Sequence, residues 1–329
     1  MEDIKIYRGK INNKVVVIGG GTGLSTMLRG LKKLPIEITA IVAVSDDGGG
    51  SGVLRNDLGI LPPGDIRNCI MALSNAEPTM RELLNYRFSD GNLKNQSFGN
   101  LFLAAMNGIS SSFSQAVLKM CKILSVNGQV LPVTEEDVNL KGIFKDKSSI
   151  IGESKISEYI KLTGKKLDHV ELVPQNPHAL KEAIEEIEKA KMIILGPGSL
   201  YTSIIPNLLV NGISEAIQKS KAKKVYICNV MTQQGETEGY TLADHICALH
   251  KHSSKDIFEY CLINDRKGEE IFLSKYRLEG AEPVIIDDYK FSDYNIKFIK
   301  KDFLNIGGNY LRHDPKKLAD VIYELLEEN

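Results

Sequence analysis

The sequence predicts an α/β fold in which a mainly parallel sheet is covered by helices on both faces. Two patterns carry this. Short β-branched runs alternate with longer amphipathic stretches, as expected for parallel strands joined by helical crossovers. The clearest strands, 15–18, 38–44, 192–195 and 225–228, are almost wholly apolar, which marks central strands buried on both sides. A third observation sets a ligand on this frame: the first strand runs straight into a glycine turn and a helix start.

Helical periodicity is read over 25–33, 65–73, 100–107, 113–124, 179–189, 211–219, 242–250 and 315–328. The last of these opens with Asp314 as N-cap and Pro315 in the first helical position. Between 125 and 175 the texture changes to β-like segments, 129–134 and 138–144, separated by polar and glycine-containing turns. This predicts three parts: a nucleotide-binding part over 1–124, a smaller inserted α+β lobe over 125–175, and a continuation of the α/β core over 176–329 that ends in the C-terminal helix.

At 329 residues the chain is long enough to bury a large core without disulfide or metal staples. Its 41 Lys and Arg nearly balance its 42 Asp and Glu, so neither nucleic acid nor an anionic membrane is an expected partner. The five cysteines are scattered and none pairs in a Cys-x-x-Cys spacing, which suits a reducing compartment. The first residues lack an apolar leader and no later run is long enough to span a membrane. A cytoplasmic protein is therefore expected.

The turn Gly19-Gly20-Gly21-Thr22-Gly23 follows the strand 15–18 and leads into Leu24-Ser25. Glycines let backbone N–H groups close on an anion, and the helix N-terminus adds positive potential. Thr22 and Ser25 add hydroxyls. The loop has no lysine, so it is not a P-loop, and it misses the G-x-G-x-x-G dinucleotide fingerprint because Leu24 or Thr26 stands where the last glycine is required. NAD remains an alternative only through Asp46, which ends the second strand where a ribose-binding acid would lie. The blander reading is that these glycines merely allow close strand–helix packing.

The second strand ends in Ser45-Asp46-Asp47-Gly48-Gly49-Gly50-Ser51-Gly52, followed by Arg55 and by Asp65-Ile66-Arg67. Asp46 and Asp47 at the carboxyl end of a parallel strand suit Mg²⁺ bridging to phosphate, and Mg²⁺ is the one cofactor that the residues suggest. Arg55 and Arg67 suit the phosphate charge. The alternative is a solvated Asp-Gly turn, and Asp65 is either a ligand residue or a helix cap. Gly196-Pro197-Gly198-Ser199-Leu200-Tyr201-Thr202 repeats the anion-binding logic on a later strand, and Asn229 follows the strand 225–228 as a candidate base or ribose contact. Asp244-His245 and Arg312-His313-Asp314 read equally well as caps or as site residues. There is no Gly-x-Ser-x-Gly elbow, His-Glu-x-x-His pair or evident Cys-His couple.

These segments in order, GGGTGLS (19–25), SDDGGGSG (45–52), PPGDIRN (62–68), SFGNLFLAA (97–105), GPGSLYTSIIPNLL (196–209) and NVMTQQGET (229–237), resemble the YvcK or gluconeogenesis factor family, related to the 2-phospho-L-lactate transferase CofD. The resemblance covers nearly the whole chain. It implies a Rossmann-like three-layer α/β/α fold with a smaller lobe, a homodimer, and binding of a UDP-sugar such as UDP-N-acetylglucosamine. The implied role is regulatory, in cell shape and growth on gluconeogenic carbon sources. The alternative it implies is a Mg²⁺-dependent transferase of a phospho-group from a nucleotide diphosphate donor. The residues carried over are Gly20, Gly21, Thr22, Gly23, Asp46, Asp47, Ser51, Arg55, Asn100, Ser199, Tyr201, Thr202 and Asn229, with Gly198 beside them. Two positions depart from the family pattern: Gly50 stands where a serine is usual, and Gln96 where a histidine often precedes Ser-Phe-Gly-Asn.

Overall fold

The computed structural model describes residues 13–305 and 310–328. The reading that no apolar leader opens the chain falls on residues 1–12, outside the described residues. Ten strands position the site: β1 (Lys14–Gly19), β2 (Glu37–Val42), β3 (Gln129–Pro132), β4 (Asn139–Phe144), β5 (Ser149–Ile151), β6 (Leu167–Val173), β7 (Met192–Leu195), β8 (Lys223–Ile227), β9 (Tyr260–Asn264) and β10 (Lys297–Lys301).

Seven of these form one sheet in the order β10-β9-β8-β7-β1-β2-β3. Every pairing in it is parallel. The chain runs outward from β1 to β3, returns past β1 to β7, and then runs outward the other way. That reversal makes the fold Rossmann-like and opens a crevice beyond the carboxyl ends of β1 and β7. Ile18 sits level with Ile41 of β2 and Leu195 of β7, so the two turns that follow leave the sheet side by side. Successive residues Val15, Val16, Val17 and Ile18 are all buried although they point to alternate faces, which shows that both faces are covered.

The apolar runs read as strands are all present, with ends shifted by one or two residues. The first helix, Gly21–Leu31, starts four residues before its apolar periodicity, inside the glycine turn itself. Among the helices with no sequence signal is Gly49–Leu58, which grows out of the acidic glycine loop, where glycine content argues against helix. The edge strand β10 also lacked a signal, because the lysines that keep an edge soluble erase the apolar pattern.

The segment 129–134, expected in the inserted lobe, instead supplies β3 at the edge of the main sheet, with Val130 and Leu131 buried against β2. Three antiparallel strands in the order β5-β4-β6, together with the helix Glu153–Thr163, make the smaller unit. Among the described residues no helix is long and apolar enough to cross a membrane, and the cysteines are free thiols, all buried except Cys247.

The first helix packs against the C-terminal helix Pro315–Glu327. Asp314 caps the latter by accepting from the Lys316 and Lys317 N–H groups, as its sequence suggests. The crossing is so close that a Cβ on Gly30 would lie 1.9 Å from the Pro315 carbonyl oxygen. Glycine to alanine inside a helix ordinarily stabilises; here overpacking wins. Gly30→Ala is expected to destabilise by about 1–3 kcal/mol, measured as a lower urea midpoint, and an unchanged or raised midpoint would show that the helices can separate freely.

Candidate functional site

Two turns meet at the reversal point with nothing but backbone between them. A Cβ on Gly23 would lie 2.6 Å from the Pro197 carbonyl oxygen, so only glycine lets the first helix reach the loop after β7. Asn207 ties the turns by donating from Nδ2 to the Gly19 carbonyl (3.1 Å) and the Ser203 carbonyl (2.7 Å). Asn229, just past β8, donates to the Gly198 carbonyl (2.8 Å), and Ser199 Oγ donates to Gln233 Oε1 (2.7 Å).

These contacts shape a cavity of about 280 Å³ lined by Thr22, Gly23, Gly198, Ser199 and Asn229, with Tyr276 and Arg312 arriving from the C-terminal region. Gly20 brings no side chain to cap the helix; Asp65 accepts from the Gly21 N–H, and the N–H groups of Thr22 and Gly23, which line the cavity, have no intrahelical acceptor and form its positive end. Among the described residues, Arg312 is the one Lys or Arg lining the cavity, and no carboxylate lines it. His313 also lines it, but burial pushes its imidazole down to about 4 and keeps it neutral.

Other predicted residues lie elsewhere. Asp46 accepts from the Gly48 N–H (2.9 Å), and burial raises its carboxyl above the usual range. Asp47 turns away and accepts from the Ser154 N–H (2.9 Å), capping the small lobe's helix. The two acids therefore do not present a joint pair. Arg55 donates to the Val138 carbonyl (2.8 Å) and pairs with Asp137 (2.5 Å), leaving Nη1 buried without a partner. Ser51 packs at the start of the helix Gly64–Leu73, and Asn100 sits in the first turn of Phe98–Gly108 with its Oδ1 buried and unpartnered. Gly20, Gly21 and Thr202 do not line the 280 Å³ cavity, and Tyr201 faces a different one. The two departures from the family pattern are neighbours, since a Cβ on Gly50 would lie 2.9 Å from Gln96 Oε1.

Both anion-binding turns already meet a carboxylate of the chain itself. Asp65 is not a cap for its own helix: it reaches across to accept from the Gly21 N–H, and its Oδ2 would lie 2.7 Å from a Cβ on Gly20. Burial and the charge of Asp46 push it from the usual 3.8 up to about 6. On the second turn, Glu236 Oε1 accepts from the N–H groups of Tyr201 (2.7 Å) and Thr202 (3.1 Å). These are the amides that the sequence offers to a ligand phosphate. Burial pushes Glu236 up to about 7. Sequence reasoning missed Glu236, because nothing local distinguishes it from a surface acid.

Among the described residues no cluster of three or more His, Cys, Asp or Glu is arranged to hold a metal ion. The charge of Asp46 helps to raise Asp65, and a divalent cation beside the two carboxylates would relieve that repulsion. Asp244 closes a reciprocal cap with Thr241, and His245 Nδ1 lies 2.8 Å from the Thr241 carbonyl, so this pair serves the helix Leu242–His252.

Asp65 holds its proton more tightly folded than unfolded, so its ionisation opposes folding. That cost is absent below about pH 4 and complete once pH passes about 6. Asp65→Asn is expected to stabilise by about 1–2 kcal/mol at neutral pH, allowing for partial solvent access, and by nothing at acid pH. Urea titrations at the two pH values measure this, and a gain equal at both would contradict the assignment.

Residues 15–304 match the family model of 2-phospho-L-lactate transferase CofD. The chain is 57% identical over 314 residues to a putative gluconeogenesis factor of Thermoanaerobacterium thermosulfurigenes, covering 95% of this chain and 97% of that protein. It is 46% identical over 316 residues to the gluconeogenesis factor of Bacillus subtilis, covering 96% and 98%. A crystal structure of a Bacillus halodurans protein superposes with a TM-score of 0.92 at 47% identity, over 95% of this chain and all of that one. A family model spanning most of the chain and relatives matched nearly end to end agree: this chain belongs to the gluconeogenesis factor family, built on a CofD-like domain.

Proposed function

We propose that the chain is a UDP-sugar-binding regulatory protein, homodimeric and cytoplasmic, that serves cell-shape and cell-wall homeostasis during growth on gluconeogenic carbon sources. The observation that carries the binding reading is convergence at the reversal point: Thr22 and Gly23 of the helix start, Arg312 and the polar set Ser199, Asn229 and Gln233 line one cavity. The diphosphate lies against Thr22, Gly23 and Arg312, and uracil and ribose lie toward Asn229. Binding without chemistry is favoured because, among the described residues, no carboxylate lines the cavity and its histidine is neutral, so none of these lining groups is suited to proton transfer near neutral pH.

A second reading, a transferase of a phospho-group from a nucleotide diphosphate donor, draws on the CofD match and on the Asp46–Asp65 pair. Those two carboxylates would hold Mg²⁺, whose chemistry is to neutralise diphosphate charge. It requires Mg²⁺-dependent consumption of the donor that Asp46→Asn abolishes.

Calorimetry with UDP-N-acetylglucosamine, UDP-glucose and UDP tests the first reading. Saturable heat without turnover is expected, with Arg312→Ala weakening binding about tenfold or more. No heat from any of the three overturns it, and donor consumption favours the second.

A further inference from the structure

A cavity of about 440 Å³ continues the crevice along the sheet, past the ends of β8 and β9. It shares Val230, Met231 and Leu311 with the 280 Å³ cavity, so the two adjoin. The smaller compartment alone lies just below the range of about 300–1,000 Å³ usual for small-molecule sites, which is short of room for a nucleotide carrying a sugar.

The strands set the direction in which a ligand extends. Ile18, Leu195, Tyr226 and Cys261 lie level on β1, β7, β8 and β9. Thr22, Ser199, Val230 and Asp265 each follow four residues later, beyond the carboxyl edge of the sheet. Three strand spacings separate β1 from β9, about 14 Å in all, which matches the reach of an extended nucleoside diphosphate.

The two compartments differ in chemistry. The first offers Thr22, Ser199, Asn229 and Arg312. The second is walled by Met231, Leu273, Val284, Ile286, Leu304 and Leu311, which suits a flat uncharged ring rather than a phosphate. Most of the polar groups that also line it are committed. Asn264 accepts from the Phe303 N–H (3.1 Å) and donates to the Arg266 carbonyl (2.8 Å), Arg266 pairs with Asp302 (2.9 Å), and Glu270 pairs with Arg277.

Asp265 and Lys267 are exposed, and their side chains meet no partner among the described residues. Asp265 is nevertheless held in position: its N–H donates to the Lys301 carbonyl (3.1 Å), and the bonds of Asn264 and Arg266 anchor the residue on either side. A carboxylate at the end of a parallel strand beside the crevice is placed to accept from ribose hydroxyls. Asp46, which the sequence offers for that role, is turned to the Gly48 N–H and lines neither compartment.

We propose that the nucleoside of the ligand lies in the 440 Å³ compartment, with its base against the apolar walls and its ribose hydroxyls donating to the Asp265 carboxylate. The diphosphate then reaches back to Arg312 and to the turn at Thr22 and Gly23. This placement rests on the UDP-sugar reading and adds to it the group that recognises ribose.

UDP and 2′,3′-dideoxy-UDP are titrated calorimetrically into the full chain, into Asp265→Ala and into Arg312→Ala. UDP is expected to weaken about tenfold in Asp265→Ala, and removal of the two hydroxyls to cost about tenfold in the parent but little in Asp265→Ala. Asp265 is exposed, so the variant should keep the urea midpoint of the parent. Irradiated 4-thio-UDP is expected to attach to the segments 264–273 and 283–286. The proposal falls, with the UDP-sugar reading left standing, if Arg312→Ala weakens UDP while Asp265→Ala binds it like the parent. It also falls if loss of the hydroxyls costs as much in Asp265→Ala as in the parent, or if 4-thio-UDP attaches only to the turns after β1 and β7. No heat from UDP in the parent overturns the UDP-sugar reading and this placement together.

Discussion

The backbone contact between Gly23 and the Pro197 carbonyl is the constraint on which the rest of the crevice depends. β1 and β7 lie side by side in parallel register, so their following turns leave the sheet at the same height. With no side chain between them the turns touch, and Thr22 and Ser199 come to line one cavity. A methyl group at position 23 would wedge the turns apart and carry the helix N-terminus away from Gly198 and Asn229. The Asn207 amide, bonded to both turns, holds the contact from beneath.

Around that contact the protein supplies its own anions. Asp65 meets the Gly21 amide and Glu236 meets those of Tyr201 and Thr202. Each satisfies donors that would otherwise be stranded at a helix start, and each is raised by burial, so the stabilisation from the hydrogen bonds is partly offset by desolvation of the charge. The N–H groups of Thr22 and Gly23, in the first turn of the helix, have no intrahelical acceptor and border the crevice. The positive ends of two turns are thus divided between internal carboxylates and the crevice.

Much of this frame was legible because its chemistry is local. Four-residue apolar runs announced β1 and β7, and the glycine turn declared its geometry through residues adjacent in the chain. The pairing of Asp46 with Asp47 was not legible, because only the folded lobe shows that Asp47 caps the helix Glu153–Thr163. Arg55 likewise reads as a phosphate ligand until Val138 and Asp137 arrive from another part of the chain. Glu236 is the sharpest case: its burial depends on a turn 35 residues upstream in sequence. Assigning 129–134 to the small lobe failed for a related reason, since a short apolar strand does not say which sheet it joins.

The bond from the Ser154 N–H to Asp47 joins the segment 46–58 to the small lobe, and the clamp of Arg55 on Val138 and Asp137 joins it to the chain that leads from β3 into β4. Two attachments at separate points remove the freedom of a single hinge. The acidic loop and the helix Gly49–Leu58 are therefore held at two points by chain that lies more than eighty residues further on, so the shape of this edge of the crevice is set by long-range contacts rather than by the glycines of the loop itself.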